Sequence, residues 1–282
     1  MSKDIITIHG LSLAFGGKKI LDNLDTRFEK GKTVLIAGNN GAGKSSFLKC
    51  LAGVLFPDAG EIRLDASVPR EKIAFISDRM SLFENFTLAQ GIAFHCRVFN
   101  VKKDDFDRSL LCKLKLDMDQ KIKDLSIGER AVYQFSLLMA QKPEILLLDE
   151  IIHNIDPYLR ELLLEALIGL IDELNTSVIM VNHTFSEMGR LPERVLIMEN
   201  GRFVFDETSD EMHAKIKKIV TEKEIADDIP VIFENRTPLY REYYVYPYSE
   251  GMGAGSGYEF LDVDLTGIVK SFIGGYYAKK RI

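Results

Sequence analysis

The amino-acid sequence predicts an α/β fold whose sheet is largely parallel, and three observations lead to this prediction. Apolar runs such as TVLIAG and EILLLDE are continuous, as in strands that are buried on both faces. Stretches with helical apolar spacing, such as KSSFLKCLAGVL and DPYLRELLLEALIGLIDEL, alternate with these runs. The chain has 282 residues, of which 46% are hydrophobic and 28% charged, so it can bury the core that such a fold requires.

The N-terminal part of the chain predicts strands that precede the first buried run. DIITIHGLSLAF is rich in strand-forming residues and is followed by the turn GGKK, and LDNLDTRFEKGK predicts a second strand pair that ends at Gly31. Two further strands are expected at GEIRLD and KIAFIS. We expect the early strands to form an antiparallel β subdomain of the main domain.

The middle of the chain changes to a helical pattern. Helices are predicted at TLAQGIAFHCRVF, at KDDFDRSLLCKLKL and at AVYQFSLLMA, which together make a helical insertion at about residues 79–141. The strand pattern returns with EILLLDE and continues at TSVIMVNH and RVLIMENGRFVFDE. The predicted main domain spans residues 1–219.

The last part of the chain has a different composition. Eight of the ten tyrosines lie between Tyr240 and Tyr277, and EGMGAGSGYEF predicts a flexible glycine-rich loop. An apolar pattern resumes at FLDVDLTGIVKSFIGG. We expect residues 220–282 to form a small C-terminal appendage, whose role as a dimer contact, a regulatory flap or simply a packed β unit is open.

Composition excludes several classes of function. The formal net charge of −6 argues against a broad nucleic-acid interface. The N-terminus shows no signal-peptide pattern, and no apolar run is long enough to span a bilayer. The widely spaced Cys50, Cys96 and Cys112 predict neither a disulfide framework nor a zinc site. These features predict a cytoplasmic protein, and any membrane span would belong to another chain.

A phosphate-binding loop is the strongest chemical signal. The segment GNNGAGKSS matches G-x-x-x-x-G-K-[ST] and lies between a predicted buried strand and a helix, the context that a Walker A loop requires. Glycines let backbone N–H groups face the phosphates, and the helix start adds its positive dipole end. We expect Lys44 to contact the β- and γ-phosphates, Ser45 to ligate Mg²⁺ and Ser46 to contact the α-phosphate. The predicted phosphate-binding residues are Gly38, Asn39, Asn40, Gly41, Ala42, Gly43, Lys44, Ser45 and Ser46.

An acidic pair supplies the second element of a nucleotide site. Asp149 and Glu150 end the apolar strand ILLLDE. In the presence of a Walker A loop, Asp149 is predicted to hold the Mg²⁺ ion, and Glu150 is predicted to accept a hydrogen bond from the attacking water.

The segment LSIGER has no obvious chemistry of its own. Ser126 precedes a predicted helix, where a serine hydroxyl ordinarily caps the free N–H groups of the first turn. A role beyond capping depends on the rest of the sequence.

The ordered set of motifs resembles the nucleotide-binding subunit of an ABC transporter over about residues 3–215. LSIGER resembles the family signature LSGGQ. NIDP, which contains Asp156, resembles the D-loop, and MVNHT, which contains His183, resembles the switch-histidine loop. LAFGGKKIL resembles the aromatic A-loop, in which Phe15 would stack on adenine. His183 would then contact the γ-phosphate, while His9, His95, His153 and His213 match no motif and are expected to be structural.

The resemblance implies a shared ATP site and a set of partners. Two copies, or this chain and a similar ATPase subunit, would close head to tail over ATP and Mg²⁺, with Ser126 and Gly128 contacting the γ-phosphate that the partner binds. Gly128 would be required because a Cβ would hold the backbone away from the phosphate. Integral membrane subunits would dock on the helical insertion around Asp78–Phe99, at the inner face of the cell membrane. The modest appendage resembles exporters more than importers, so export is expected.

Three departures from the family pattern bear on these expectations. Asp78 lies where the family has a glutamine, and it could ligate Mg²⁺ as a hard oxygen donor. The residues after Glu150 read IIHN, which alters the approach to the D-loop. Glu129 replaces the glutamine of the signature, and its charge either weakens closure over a triphosphate or is neutralised by Arg130.

Two other functions compete with that of a transporter subunit. A soluble ABC-type ATPase that acts as an assembly or regulatory factor is suggested by the missing glutamine. An ordinary P-loop kinase would leave LSIGER, NIDP and MVNHT unexplained.

Overall fold

The computed structural model describes residues 4–77, 82–151, 155–182, 191–253 and 257–279. The chain folds into two compact units. The first comprises residues 1–33 and 45–182, and the second comprises residues 34–44 and 183–282. The second unit therefore combines the segment that begins the phosphate-binding loop with the C-terminal region, and the division of the sequence at residue 219 stays a prediction.

The strands of the described residues, in chain order, are β1 (Asp4–Phe15), β2 (Lys18–Glu29), β3 (Thr33–Gly38), β4 (Ala59–Leu64), β5 (Ile73–Ser77), β6 (Ile145–Asp149), β7 (Ser177–Val181), β8 (Arg194–Glu199), β9 (Arg202–Thr208), β10 (Lys217–Thr221), β11 (Val231–Arg236), β12 (Arg241–Val245) and β13 (Leu261–Asp262). The α-helices are α1 (Lys44–Leu51), α2 (Leu88–Val98), α3 (Ser109–Lys113), α4 (Ile127–Ala140), α5 (Pro157–Leu174), α6 (Ser209–Lys215) and α7 (Leu265–Lys279).

An antiparallel sheet of order β2–β1–β4 belongs to the first unit, as the sequence predicts. The segment LDNLDTRFEKGK forms part of the single strand β2 rather than a strand pair, because the whole of β2 pairs with β1. The turn between them contains Gly16 and Gly17, both with positive φ, and it leaves Phe15 at the end of β1.

Parallel pairing in the first unit runs in the order β5–β6–β7, with Ile145 opposite Ile73 on one side and Ser177 on the other. Every residue of β6 is buried, as is typical of a parallel strand whose sheet is covered on both faces. The carboxyl end of β6 carries Asp149, so this acidic side chain emerges where the parallel pairing stops.

The helical insertion has its own apolar core, to which Leu88, Ile92, Leu125, Tyr133 and Leu137 contribute. The buried Tyr133 hydroxyl of α4 donates to the Leu88 carbonyl of α2 at 2.9 Å. The predicted helix KDDFDRSLLCKLKL is reduced to the five residues of α3, since the Asp107 carboxylate accepts from the Ser109 N–H and hydroxyl and stops a continuous helix.

The second unit contains two groups of strands. Strand β3 pairs in parallel with β8, and β8 forms a hairpin with β9 through Asn200 and Gly201, which both have positive φ. The C-terminal region forms an antiparallel sheet of order β11–β12–β10–β13. An aromatic cluster of Phe205, Tyr246 and Phe272 joins β9 to this region, with ring centroids 4.8–5.5 Å apart.

Among the described residues, none of the helices combines the length and the hydrophobicity that a bilayer span needs.

A buried polar pair ties α2 to the end of α4. The His95 Nε2 and Gln141 Nε2 atoms are 3.1 Å apart, and the His95 ring lies against Phe99 with centroids 4.6 Å apart. Burial lowers the pKa of His95 from 6.5 to about 4, because the imidazolium loses its hydration.

This pKa shift predicts a specific dependence of stability on pH. Between about pH 6.5 and pH 4, His95 is protonated in the unfolded chain and neutral in the folded chain. The free energy of unfolding therefore falls as the pH drops through this range. We expect His95 to account for a loss of about 2 kcal/mol between pH 7 and pH 5. Urea unfolding of the wild type and of His95→Gln at both pH values measures this. Equal losses in the two proteins would contradict it.

Candidate functional site

The phosphate-binding loop begins where β3 ends. Gly38, Gly41 and Gly43 have φ values of 146°, 80° and 110°, in the region that favours glycine. A Cβ on Gly38 would overlap the Met198 carbonyl oxygen of β8, whereas a Cβ on Gly41 would meet no atom within 4 Å. Gly38 therefore allows β3 to pack closely against β8. The space around the Gly41 Cα atom is open.

Lys44 folds back over this loop. Its buried ammonium group donates to the Gly38 and Asn39 carbonyl oxygens at 2.8 and 2.9 Å. The Ala42 carbonyl oxygen accepts from the Gly201 N–H at 2.9 Å, which fixes the loop to the β8–β9 turn. The cation is thus held at the loop by backbone atoms, where a phosphate can exchange for the carbonyl oxygens.

Ser45 and Asp149 meet within the first unit. The Ser45 hydroxyl donates to the Asp149 carboxylate at 3.0 Å, and Asp149 is only 3% exposed. A hydroxyl oxygen beside a carboxylate is a donor set that suits Mg²⁺, which uses one or two protein oxygens and completes its shell with phosphate and water. These two residues fit the predicted magnesium site.

Glu150 follows β6 in an uncommon backbone conformation. Its φ is 57°, a value that non-glycine residues rarely adopt, and its N–H donates to the Val181 carbonyl oxygen of β7 at 3.0 Å. Such conformations cluster at active sites because the surrounding structure must hold them. No feature of the sequence signals this turn.

Ser126 is the N-cap of α4. Its hydroxyl oxygen accepts from the Glu129 N–H at 3.3 Å, and the Glu129 carboxylate accepts from the Ser126 N–H at 2.9 Å, which completes a capping box. The ordinary capping role predicted for Ser126 is therefore present, and Ser126 is exposed at the helix start.

Gly128 is buried for a reason that the sequence does not reveal. A Cβ there would overlap the Leu159 Cδ1 atom of α5 and lie 3.3 Å from the Ile155 Cγ2 atom. The glycine thus permits close packing against the start of α5, in addition to any approach of a phosphate. The Asp156 carboxylate caps α5 by accepting from the Leu159 N–H at 3.1 Å.

Among the residues that the structure describes, Arg130 contacts Glu84 and Lys123 rather than the Glu129 carboxylate. Its guanidinium group pairs with the Glu84 carboxylate at 3.1 Å and donates to the Lys123 carbonyl oxygen at 3.3 Å. The effect of Glu129 on closure stays a prediction.

Phe15 is 51% exposed at the end of β1, so its ring is available for stacking. Asp78 and His183 lie outside the described residues, as do residues 152–154 of the altered D-loop approach. The structure therefore brings together Ser45 with Asp149, and Gly128 with the start of α5.

The chain is similar to a known protein family and to curated proteins. Residues 21–153 match the family model described as ABC transporter. The chain is 26% identical to the spermidine/putrescine import ATP-binding protein PotA of Mesoplasma florum, over 85% of this chain and 73% of that protein. It is 28% identical to the methionine import ATP-binding protein MetN 1 of Listeria monocytogenes, over 80% and 74% of the two chains.

Solved structures share the fold. One described as the ATP binding subunit of an ABC transporter has a TM-score of 0.67 at 22% identity, over 74% of this chain and 92% of that chain. The dimeric ATP-binding cassette MJ0796, bound to ADP and Pi, has a TM-score of 0.63 at 20% identity, over 72% and 98% of the two chains. These likenesses confirm the predicted ATPase fold class. Both curated relatives are import proteins, so the comparisons do not support the expectation of export.

The packing of Gly128 yields a prediction about stability. Gly128→Ala should lower the free energy of unfolding by about 1–3 kcal/mol, because the new methyl group overlaps Leu159. Gly169→Ala is the matched control within α5, since its Cβ meets no atom within 4 Å, and it should be neutral or stabilising.

A double-mutant cycle with Leu159→Val tests the cause, with urea unfolding as the measurement. The cost of Gly128→Ala should shrink when the Leu159 methyl group is absent. A cost that is the same in both backgrounds would show that Leu159 does not explain the glycine.

Proposed function

The chain carries the ATP-binding domain of the ABC transporter family, and from this premise we propose that it hydrolyses ATP in a head-to-tail dimer that drives transport through separate membrane subunits. The observation that carries the proposal is the hydrogen bond between the Ser45 hydroxyl and the buried Asp149 carboxylate. It joins the Walker A segment to the acidic end of β6, as a nucleotide site with a metal ion requires.

Each P-loop would bind one ATP. Backbone N–H groups of the loop and the start of α1 would contact the phosphates, Lys44 would replace its carbonyl contacts by phosphate oxygens, and Phe15 would stack on adenine. Mg²⁺, held by Ser45 and Asp149, would offset the negative charge of the phosphates. The site therefore binds the leaving and transferring groups before any partner arrives.

Glu150 would position the attacking water. Its backbone is fixed by the bond to Val181 in an uncommon conformation at the end of β6, next to Asp149. A carboxylate held in this way can accept a proton from water as it attacks the γ-phosphate in line. His183 is proposed to contact the same phosphate, as the resemblance implies.

The second half of each site would come from the partner copy. Ser126 is exposed at the start of α4, where the helix dipole favours an anion. Its hydroxyl oxygen accepts from Glu129, so its proton stays available for donation to a γ-phosphate. ATP would therefore close two chains over two nucleotides, and hydrolysis would release them.

The partner could be a second copy or a similar ATPase subunit. A second copy is the simpler assignment, because this chain carries both the P-loop and the signature segment. We propose a homodimer.

The helical insertion offers a surface for a membrane subunit. Phe83, Phe86 and Phe94 form an aromatic cluster with ring centroids 4.9–6.0 Å apart, and Phe83 is 56% exposed. Val98 lies one turn beyond Phe94 on α2 and is also exposed. We refer to Phe83, Phe86, Phe94 and Val98 as the aromatic patch, and we propose that a helix of the membrane subunit packs on it.

The aromatic patch is joined to the signature segment by backbone bonds. The Ile122 N–H donates to the Phe86 carbonyl oxygen at 2.9 Å, and the Lys123 N–H donates to the Glu84 carbonyl oxygen at 3.0 Å. The ion pair between Arg130 and Glu84 adds a side-chain connection. A partner that moves the patch would therefore move the residues that lead into Ser126.

A soluble assembly factor is the second candidate function, and it would use the same aromatic patch. The direction of transport would be set by the membrane subunits.

The Glu150 side chain yields the first test. Glu150→Gln should lower kcat for ATP hydrolysis by about 10²- to 10⁴-fold, because the water loses its base. With ATP, the same variant should form a stable dimer, which light scattering detects. Glu144→Gln, just before β6, is the matched control and should hydrolyse ATP normally. A Glu150→Gln chain that binds ATP and stays monomeric would contradict the proposal.

The aromatic patch yields the second test. A photo-crosslinking residue at Phe83 should capture an integral membrane protein when the chain is expressed in its native cells. Phe56, which is 83% exposed and lies outside the patch, is the control position and should not capture this protein. Capture of soluble proteins alone from position 83 would favour the assembly-factor function instead.

A further inference from the structure

Glu129 carries a negative charge at the helix start where the shared site would receive a phosphate. Its carboxylate accepts from the Ser126 N–H at 2.9 Å, so it is bonded to the residue whose hydroxyl is proposed to contact the γ-phosphate. The start of an α-helix carries only about half a positive elementary charge. The Glu129 carboxylate and a triphosphate would both interact with this partial positive charge, and they would repel each other.

In the described part of the chain, the cation next to Glu129 pairs with another carboxylate. Arg130, the adjacent cation, pairs with Glu84 at 3.1 Å and donates to the Lys123 carbonyl oxygen. Both partners of Arg130 lie before Ser126 in the chain, on the side of the aromatic patch. The guanidinium group of Arg130 is thus bonded to the segment that contains Glu84 and Lys123.

We propose that Glu129 sets the threshold of ATP-driven dimer closure, acting as a resident anion that opposes the partner's γ-phosphate at Ser126. This inference rests on the proposed shared ATP site and concerns the strength of its closure. Glu129 is a positioning residue in this account. It holds Ser126 through the capping box, and the same carboxylate makes the arrival of the phosphate less favourable.

The charge and the capping role can be separated, because the chain contains the neutral version of the same box. In α2, the Gln90 side-chain oxygen accepts from the Thr87 N–H at 2.9 Å, and the Gln90 N–H donates to the Thr87 hydroxyl oxygen at 3.2 Å. A glutamine therefore closes this box with the geometry that Glu129 has in α4. Glu129→Gln should remove the charge and keep Ser126 in place.

A third capping box supplies the matched control. In α6, the Glu211 carboxylate accepts from the Thr208 N–H at 3.2 Å, and the Glu211 N–H donates to the Thr208 hydroxyl oxygen at 3.3 Å. These bonds from Thr208 lower the pKa of Glu211, so this carboxylate is also charged. Glu211→Gln makes the same chemical change at the start of α6, which belongs to the second unit.

The experiment measures the dimer dissociation constant with saturating ATP and Mg²⁺ in the Glu150→Gln parent, by analytical ultracentrifugation. Glu129→Gln should tighten the dimer about tenfold, since each of the two sites contributes a factor of about two to five. Glu211→Gln should leave the constant unchanged, and Glu129→Asp, which keeps the charge, should remain near the parent value. Thermal unfolding of each variant checks that it is folded.

Salt distinguishes a charge effect from a packing effect. Exposed charges are screened over about 10 Å at 0.1 M salt and over about 3 Å at 1 M. The ratio of the dissociation constants of the parent and of Glu129→Gln should therefore approach unity as NaCl is raised. A packing change would be insensitive to salt.

Three results would overturn the inference. Unchanged or weaker dimerisation of Glu129→Gln would do so while leaving the shared site intact. A tighter dimer whose gain is constant with salt would assign the effect to packing. A Glu150→Gln parent that stays monomeric with ATP would refute both the shared site and this inference. If the parent dimerises, the shared site stands and only the role of Glu129 is under test.

Discussion

The contact between the starts of α4 and α5 is the constraint on which the rest of the site depends. Gly128 lies so close to the start of α5 that a Cβ there would overlap the Leu159 Cδ1 atom. Ser126 caps α4 and Asp156 caps α5, so two helix starts are packed side by side. The acidic end of β6, with Asp149 and Glu150, and the exposed signature segment belong to the same compact unit.

This arrangement gives a physical basis for a site shared by two copies. The residues that would hold the metal and position the water lie at the end of β6, whereas the residues that would touch the partner's phosphate lie at the start of α4. Both sets of residues belong to the first unit of one chain. In a head-to-tail dimer, each chain would therefore offer one set of residues to each of the two nucleotides.

The sequence predicted the parts that depend on local chemistry. The Walker A pattern and the acidic pair predict the end of a strand, and Gly38 and Asp149 end β3 and β6. Ser126 is the N-cap of α4, as its residue type predicts. Strand β1 also has the predicted bounds, because its apolar pattern and the glycine turn define both ends.

The sequence could not predict features that depend on tertiary contacts. The positive φ of Glu150 and the overlap that excludes a Cβ at Gly128 both involve residues distant in the chain. Arg130 stands next to Glu129, yet it pairs with Glu84, forty-six positions earlier. The helix predicted across residues 103–116 is shorter in the structure, because the Asp107 side chain hydrogen-bonds to Ser109. Such local bonds compete with helical backbone bonds, and hydrophobic spacing does not predict them.

The central claim is that a γ-phosphate bound to one P-loop is contacted by Ser126 of the other copy. The most direct measurement is an experimental structure of the Glu150→Gln dimer with ATP and Mg²⁺. We predict the Ser126 Oγ atom at about 2.5–3.0 Å from a γ-phosphate oxygen held by the partner's Lys44, the length of a hydrogen bond to a charged group. A closed, ATP-loaded dimer in which Ser126 lies far from both triphosphates would contradict it.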